Sequence, residues 1–209
     1  MIEVSTSKTR SPNKRGEGAQ LREEIVSAAT KLVNEGRPQS VTLRAVAREA
    51  GISAPAIYLH FPDLDSILLA VAQRAFAILE QELSAPHEAD PAERLRAICA
   101  AYLSFARRQP GRYRIMFGAV WDARQALDQA PALAGELAVL GMGAFDIFRS
   151  TLAECVTAGR SASADPFTDA TALWVGLHGF AQLQVAAPLF PWPPELQKPI
   201  IDRLALLLD

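Results

Sequence analysis

Apolar residues recur along this chain every three or four positions, the spacing of a helix face. No stretch alternates convincingly with the period of two that a half-buried strand needs. Leu21, Ile25, Ala28, Leu32 and Val33 mark a first helix, and Gly36 ends its pattern. Within 41–61, Val46, Ala47 and Ala50 share one face of a short helix whose other face carries Arg44 and Arg48. Ile57 and Phe61, four apart, turn inward from a second short helix and leave Tyr58 and His60 near the surface. Pro62 breaks the chain. A long helix then starts at about Asp63, striped by Ile67, Leu68, Val71, Ala75, Ile78 and Leu79, and runs to about Leu83. After a polar link at 84–90, Pro91 opens a helix with Leu95, Ile98, Cys99, Tyr102, Leu103 and Phe105 inward. Tyr113, Met116 and Phe117 mark a short helix, Trp121 a connection, and Ala123–Gln129 a loosely helical piece. One long helix is expected over 131–158, interrupted by Gly141 and Gly143, each costing about 1 kcal/mol relative to Ala. Another is expected over 166–187, a proline-rich turn around Phe190 and Trp192, and a last amphipathic helix over 195–208. The fold class expected is all-α, with about nine helices.

The two short helices flank a Gly51-Ile52-Ser53 turn. Thr42 can cap the first, its hydroxyl accepting an orphan first-turn N–H. Gly51 is placed to leave that helix through a left-handed residue, which a side chain would resist. Ser53 can cap the second helix, and Pro55 is tolerated where backbone N–H groups have no intrahelical partner. This is a helix-turn-helix pattern, whose second helix can lie in a major groove. Ala54, Pro55 and Ala56 stand where it would meet base edges, Pro55 and Ala56 offering only apolar contact, for example to a thymine methyl. Ser53, Tyr58 and His60 are hydrogen-bonding groups of the kind that contact phosphate. Arg44 is the best single base or phosphate contact, with base specificity coming partly from DNA shape. With Thr42, these residues are the candidate DNA-binding set.

The string Thr42-Leu43-Arg44-x-Val46-Ala47-x-x-Ala50-Gly51-Ile52-Ser53-x-x-x-Ile57-Tyr58-x-x-Phe61 resembles the DNA-binding signature of the TetR/AcrR family of bacterial transcriptional regulators. The resemblance runs from about Leu21 to Leu83. It implies a three-helix DNA-binding domain over 19–64, a helical regulatory and dimerisation domain over 65–209, and a homodimer. Such families usually pair through their last two long helices. One departure stands out. The family often carries a Lys three residues after the closing aromatic, where this chain has Leu64 between Asp63 and Asp65. DNA binding is then expected to lean on Arg44, on the start of the second short helix and on the N-terminal tail.

Composition refines this picture. The 209 residues carry a net charge of −2 and are 50% hydrophobic, enough for a sizeable core. Residues 1–60 hold nine basic and six acidic residues, and the remainder twelve and seventeen. A basic end on an acidic body suits a protein that presents that end to a polyanion. Residues 1–18 are too polar to order themselves and read as a disordered tail or as a basic arm, in which Lys8, Arg10, Lys14 and Arg15 would follow phosphates. Cys99 and Cys155 lie apart in apolar helical patterns, as reduced core residues without metal-ligand spacing. No uninterrupted apolar run reaches ~18 residues and no signal-peptide core is present, so no membrane span and a cytoplasmic location are expected.

The body resembles the regulatory domain of a TetR subgroup marked by a Trp-x-x-x-His-Gly element, here Trp174-Val175-Gly176-Leu177-His178-Gly179. Candidates for an effector pocket are Tyr102, Tyr113, Met116, Phe117, Trp121, Met142, Phe145, Trp174 and His178. The expected function is a homodimeric repressor, released from a pseudo-palindromic double-stranded DNA operator by a small, largely apolar effector. It calls for no catalytic residue, metal or cofactor. A helical enzyme is the rival class, and the chain has neither a Gly-rich phosphate loop nor a clustered metal set to support it. A helical protein-interaction module without DNA binding is the third reading.

Overall fold

The computed structural model describes residues 17–35, 41–117 and 121–208, with only the backbone of Glu17 and Gln129. The candidate arm, Gly36 and the loop at 37–40 lie outside the described residues. Helix α1 (Glu17–Asn34) buries Ile25, Ala29 and Val33. Helices α2 (Leu43–Glu49) and α3 (Ala54–Ile57) pack across its face, α2 against α1 and α3 against α2. Val46 and Ile57 are fully buried and Phe61 nearly so, each worth about 1.5–3 kcal/mol of apolar transfer. Arg22 of α1 lies 4.6 Å from the Phe61 ring centroid, a cation–π contact over the edge of this head.

Helix α4 (Leu64–Leu83) carries the chain away from the head and touches α1, α5, α6 and α9. Asp63 caps it, with Oδ1 accepting from the Ser66 backbone N–H at 2.7 Å and from the Ser66 hydroxyl at 2.6 Å. The body comprises α5 (Pro91–Arg108), α6 (Pro110–Met116), α7 (Ala123–Gln129), α8 (Ala134–Ala138), α9 (Met142–Thr157), α10 (Pro166–Ala186) and α11 (Gln197–Leu204). Helix α5 packs on α9 and α10, around Tyr102, Leu103, Phe105 and Phe148. Among the described residues there are thus eleven α-helices, and the fold is all-α as expected, with helix-turn-helix elements leading into a multi-helix bundle.

Two expectations of helix extent need correction. The single helix over 131–158 is instead a 3-10 turn at Pro131–Leu133, the short α8, a break, and α9. Gly141 makes the break, with φ +79 as the residue before α9, in a conformation that side chains resist. A Cβ there would fall 2.6 Å from Cε1 of Phe76 on α4, so the same glycine also permits close packing. The last helix covers only Gln197–Leu204. Beyond it Leu206 takes φ 49, and the tail clips back, with Ala162 N–H donating to the Leu206 carbonyl and Leu208 N–H to that of Arg160, both at 2.9 Å. Among the described residues, one stretch reaches membrane-spanning length by average hydropathy, Pro131–Thr157 at 1.4. Its break at Gly141, and Glu136, Asp146, Arg149 and Glu154 along it, separate it from an uninterrupted apolar helix.

Candidate nucleic-acid interface and apolar cavity

The turn between α2 and α3 is built as its residue types dictate. Thr42 Oγ1 accepts the Ala45 N–H at 3.1 Å and so opens α2. Gly51 takes φ +68, and the Ile52 N–H closes back on the Ala47 carbonyl at 3.0 Å. Ser53 stands at the head of α3 in extended conformation, but its side chain makes no capping bond. That corrects the expected cap and leaves the hydroxyl facing solvent. Helix α3 proper is a single turn, continued by 58–60, with the His60 and Phe61 N–H groups both donating to the Ile57 carbonyl.

Burial sorts the candidate DNA-binding residues. Thr42, Arg44, Ser53, Pro55 and Tyr58 are exposed, while Ala54, Ala56 and His60 are half-buried, Ala54 against the core. The exposed members stand at the start of α2 and on or beside α3. Leu59, 79% exposed, belongs to the same outward turn and is absent from the sequence-derived set. The spacing that sends Ile57 and Phe61 inward leaves 58–60 outward, so the signal for Leu59 was there. Of the two acids beside Leu64, Asp63 is spent on capping α4. Asp65 accepts the Trp121 indole N–H at 3.1 Å.

Behind α4 lies a cavity of about 570 Å³, mid-range for a drug-sized ligand site. Its walls come from α4, α5, α6, α7, α8, α9, α10 and the turn before α9. Of the sequence candidates, Tyr102, Met116, Phe117, Met142, Phe145 and Trp174 line it. Phe76, Leu79, Leu127, Leu137, Leu140, Phe148 and Phe167 join them, residues that helical periodicity shows only as core. Among the described residues, Arg124 is the one charged residue on the lining. Tyr113, His178 and Trp121 are not on the wall.

Tyr113 and His178 instead form a relay behind it. The Tyr102 and Tyr113 hydroxyls are 2.9 Å apart, and the Tyr113 hydroxyl is 2.7 Å from His178 Nδ1. The Tyr113 and His178 rings stack at 5.5 Å between centroids. Burial pushes the Tyr102 phenol far up and that of Tyr113 up to about 12, and it holds His178 below its ordinary value. Each shift favours the neutral form, so the relay is an uncharged chain of hydrogen bonds. Cys99 and Cys155 are buried free thiols, both raised by desolvation, which makes them poor nucleophiles. Among the described residues no three His, Cys, Asp or Glu side chains converge on a metal site.

Residues 25–71 match the model for bacterial regulatory proteins of the tetR family, and residues 95–208 match a tetracyclin repressor-like C-terminal domain. The nucleoid occlusion factor SlmA of Vibrio vulnificus is 33% identical over 106 residues, which cover 46% of this chain and 51% of that protein. The HTH-type transcriptional regulator HbdR of an Aromatoleum species is 39% identical over 83 residues, 39% of this chain and 36% of that one. The chain therefore spans about half the length, or less, of these curated relatives. Among solved structures, a Rhodococcus sp. RHA1 protein of unknown function superposes with a TM-score of 0.75 at 26% identity, covering 94% of this chain and 97% of that one. The regulator FadR of Bacillus subtilis, in complex with stearoyl-CoA, superposes with a TM-score of 0.70 over 90% of this chain and 99% of that one. At 15% identity this second likeness concerns the fold alone.

Proposed function

This chain belongs to the tetR family of bacterial regulatory proteins, and from that membership we propose that it is a homodimeric, cytoplasmic repressor. It leaves a pseudo-palindromic operator when a small, largely apolar effector enters the body. The observation that carries the reading is a pairing of two features on one long helix. Helix α4 starts three residues after the outward turn that would meet DNA, and its Phe76 and Leu79 line the apolar cavity. An effector that favours one packing of α4 would shift the population of head positions, and two heads would no longer fit successive major grooves together.

In this reading Thr42, Arg44, Ser53, Ala54, Pro55, Ala56, Tyr58 and His60 face the duplex, and residues 1–18 add a basic tail to the head at 19–64. The body at 65–209 holds the effector and pairs with its twin through α10 and α11. Support for the pairing comes from α10, which buries Leu173, Leu177 and Phe180 on one side and leaves Val175 and Leu183 exposed on another. Within the family we assign the chain to the Trp-His-Gly subgroup. Trp174 on the cavity wall, His178 in the relay behind it and the open face at Gly179 give those three residues separate work. The reading includes no catalytic step.

The test is a gel-shift titration on DNA upstream of the protein's own gene, at increasing salt. Phosphate contacts predict an affinity that falls steeply and linearly on logarithmic axes. A flat salt response, or no preference for that DNA over random duplex, would defeat the reading and favour a helical interaction module.

A further inference from the structure

The cavity wall is graded. Its floor is made by Leu79, Tyr102, Ala144 and Phe148, all buried. Its mouth carries Met142 and Phe167, both exposed, and beside them Arg124, also exposed. The guanidinium of Arg124 makes no ion pair with any described residue. Six other arginines of the body are paired with carboxylates, Arg74 with Glu23, Arg94 with Glu154, Arg96 with Asp202, Arg108 with Glu82, Arg149 with Asp146 and Arg160 with Asp90, whereas Arg107, Arg112, Arg114 and Arg203 form no ion pair with a described residue and do not line the cavity. Three acids near the mouth are engaged elsewhere, while Asp128, four residues after Arg124 on α7, forms no ion pair with any described residue. Asp122 accepts the backbone N–H groups of Arg124 and Gln125, Glu136 takes the Gln73 amide, and Asp146 takes Arg149.

We infer that the ligand of this cavity is an amphiphilic acid, with an apolar body on the buried floor and one carboxylate at the mouth on Arg124. The inference rests on the reading of the cavity as an effector site. A wholly apolar ligand would use the floor and leave the cation at the mouth without a role. A cationic amphiphile would meet Arg124 as a like charge, and a highly polar ligand would lose its hydration against a wall that offers one charged group. A carboxylate can take two parallel N–H bonds from a guanidinium, which fixes the orientation of the ligand as well as adding affinity.

The test uses the full-length chain and three probes with one tail: decanoate, decan-1-ol and decyltrimethylammonium, titrated calorimetrically below their aggregation limits. Decanoate is expected to bind on the order of tenfold more tightly than decanol, and the cation most weakly. Arg124→Ala should bring decanoate down to the level of decanol and leave decanol unchanged, while Arg124→Lys should keep part of the preference. Equal affinity for acid and alcohol, or a preference that Arg124→Ala leaves intact, overturns the headgroup assignment while the apolar cavity stands. Failure of all three probes to bind overturns the headgroup assignment and the apolar-effector reading together. Because Arg124 is exposed, a thermal melt that matches the parent chain confirms that the variant is folded.

Discussion

Trp121 donates its indole N–H to Asp65 Oδ1 at 3.1 Å, and that bond ties the segment leading into α7 to the first turn of α4. Trp121 is buried and stands two residues before α7, whose Ala123, Arg124 and Leu127 line the cavity. Asp65 stands four residues after Phe61, which closes the outward turn. Under the proposed reading, a ligand that moved α7 would pull on the end of α4 nearest the head. Trp121→Phe keeps the ring and removes the donor. It is expected to cost about 1 kcal/mol of stability in urea unfolding. DNA affinity without ligand should change little, while ligand-driven release should weaken. Unaltered stability together with an unaltered ligand response would remove the bond from the coupling scheme.

A second joint lies at Gly111. A Cβ on this residue would collide with Asn34 Oδ1 and would fall 2.7 Å from Asn34 Cα, so the start of α6 rests directly on the end of α1. The obstacle is backbone, which cannot step aside as a side chain could. Gly111→Val should therefore destabilise the chain by about 1–3 kcal/mol, the usual cost of overpacking. Urea midpoints of the two proteins check this, and an unchanged midpoint would mean that the joint is loose.

The helices that periodicity outlined best were those with one buried stripe, such as α4 and α5. The stretch 131–158 misled because its apolar residues keep helical spacing across Gly141, and spacing says nothing of a left-handed residue until the backbone is seen. The acids at 63 and 65 misled in another way. Sequence shows two negative charges near the DNA end, but not that one caps α4 and the other takes an indole N–H from a residue 56 positions away. The cavity was half legible. Tyr102, Met116, Phe117, Met142, Phe145 and Trp174 stood out by residue type, whereas Phe76, Leu137 and Phe167 look like ordinary core until the helices are assembled. Arg124 carries no mark in the sequence, because its place at the cavity mouth is a tertiary property.

Arg44 and Thr42 let recognition and capping be tested on one helix. Arg44 is exposed, whereas the Thr42 hydroxyl holds the Ala45 N–H. Arg44→Ala is expected to cost ~1–3 kcal/mol at the operator if the side chain reads a base, or to lower the salt slope by about one if it holds a phosphate. Thermal stability should stay within ~0.5 kcal/mol of the parent. Thr42→Ala should instead cost about 1 kcal/mol of stability through the lost cap. Gel shifts and melts on both variants check the pair; an Arg44→Ala protein that binds as before at every salt concentration excludes Arg44 from the interface.

His178 gives stability a pH dependence whose sign follows from its burial. Desolvation holds the folded pKa below the ordinary value of 6.5. As pH falls through about 6.5 the unfolded chain takes this proton before the folded one, so stability is full above that pH and declines toward the lowered folded value. Urea midpoints between about pH 7.5 and 5.5 should show that decline, and His178→Gln, which keeps a hydrogen-bonding group near Tyr113, should lessen it. A decline of the same size in the variant would assign it to other groups.

The outward stripe of α10 bears on assembly. Val175, Gly179 and Leu183 recur every four residues and share one face; the two side chains are 58% and 52% exposed, and a Cβ at Gly179 would meet nothing within 4 Å. A two-fold dimer presents the same patch from both subunits, so a substitution near the axis acts twice. Leu183→Glu would set two carboxylates against each other, with like charges across an interface costing several kcal/mol. The variant is expected to sediment as a monomer where the parent sediments as a dimer. Its affinity for a two-half-site operator should fall toward that for a single half-site, since each head then binds alone. Sedimentation velocity with gel shifts on one-site and two-site duplexes reads both effects. A Leu183→Glu protein that stays dimeric would move the subunit interface off this face of α10.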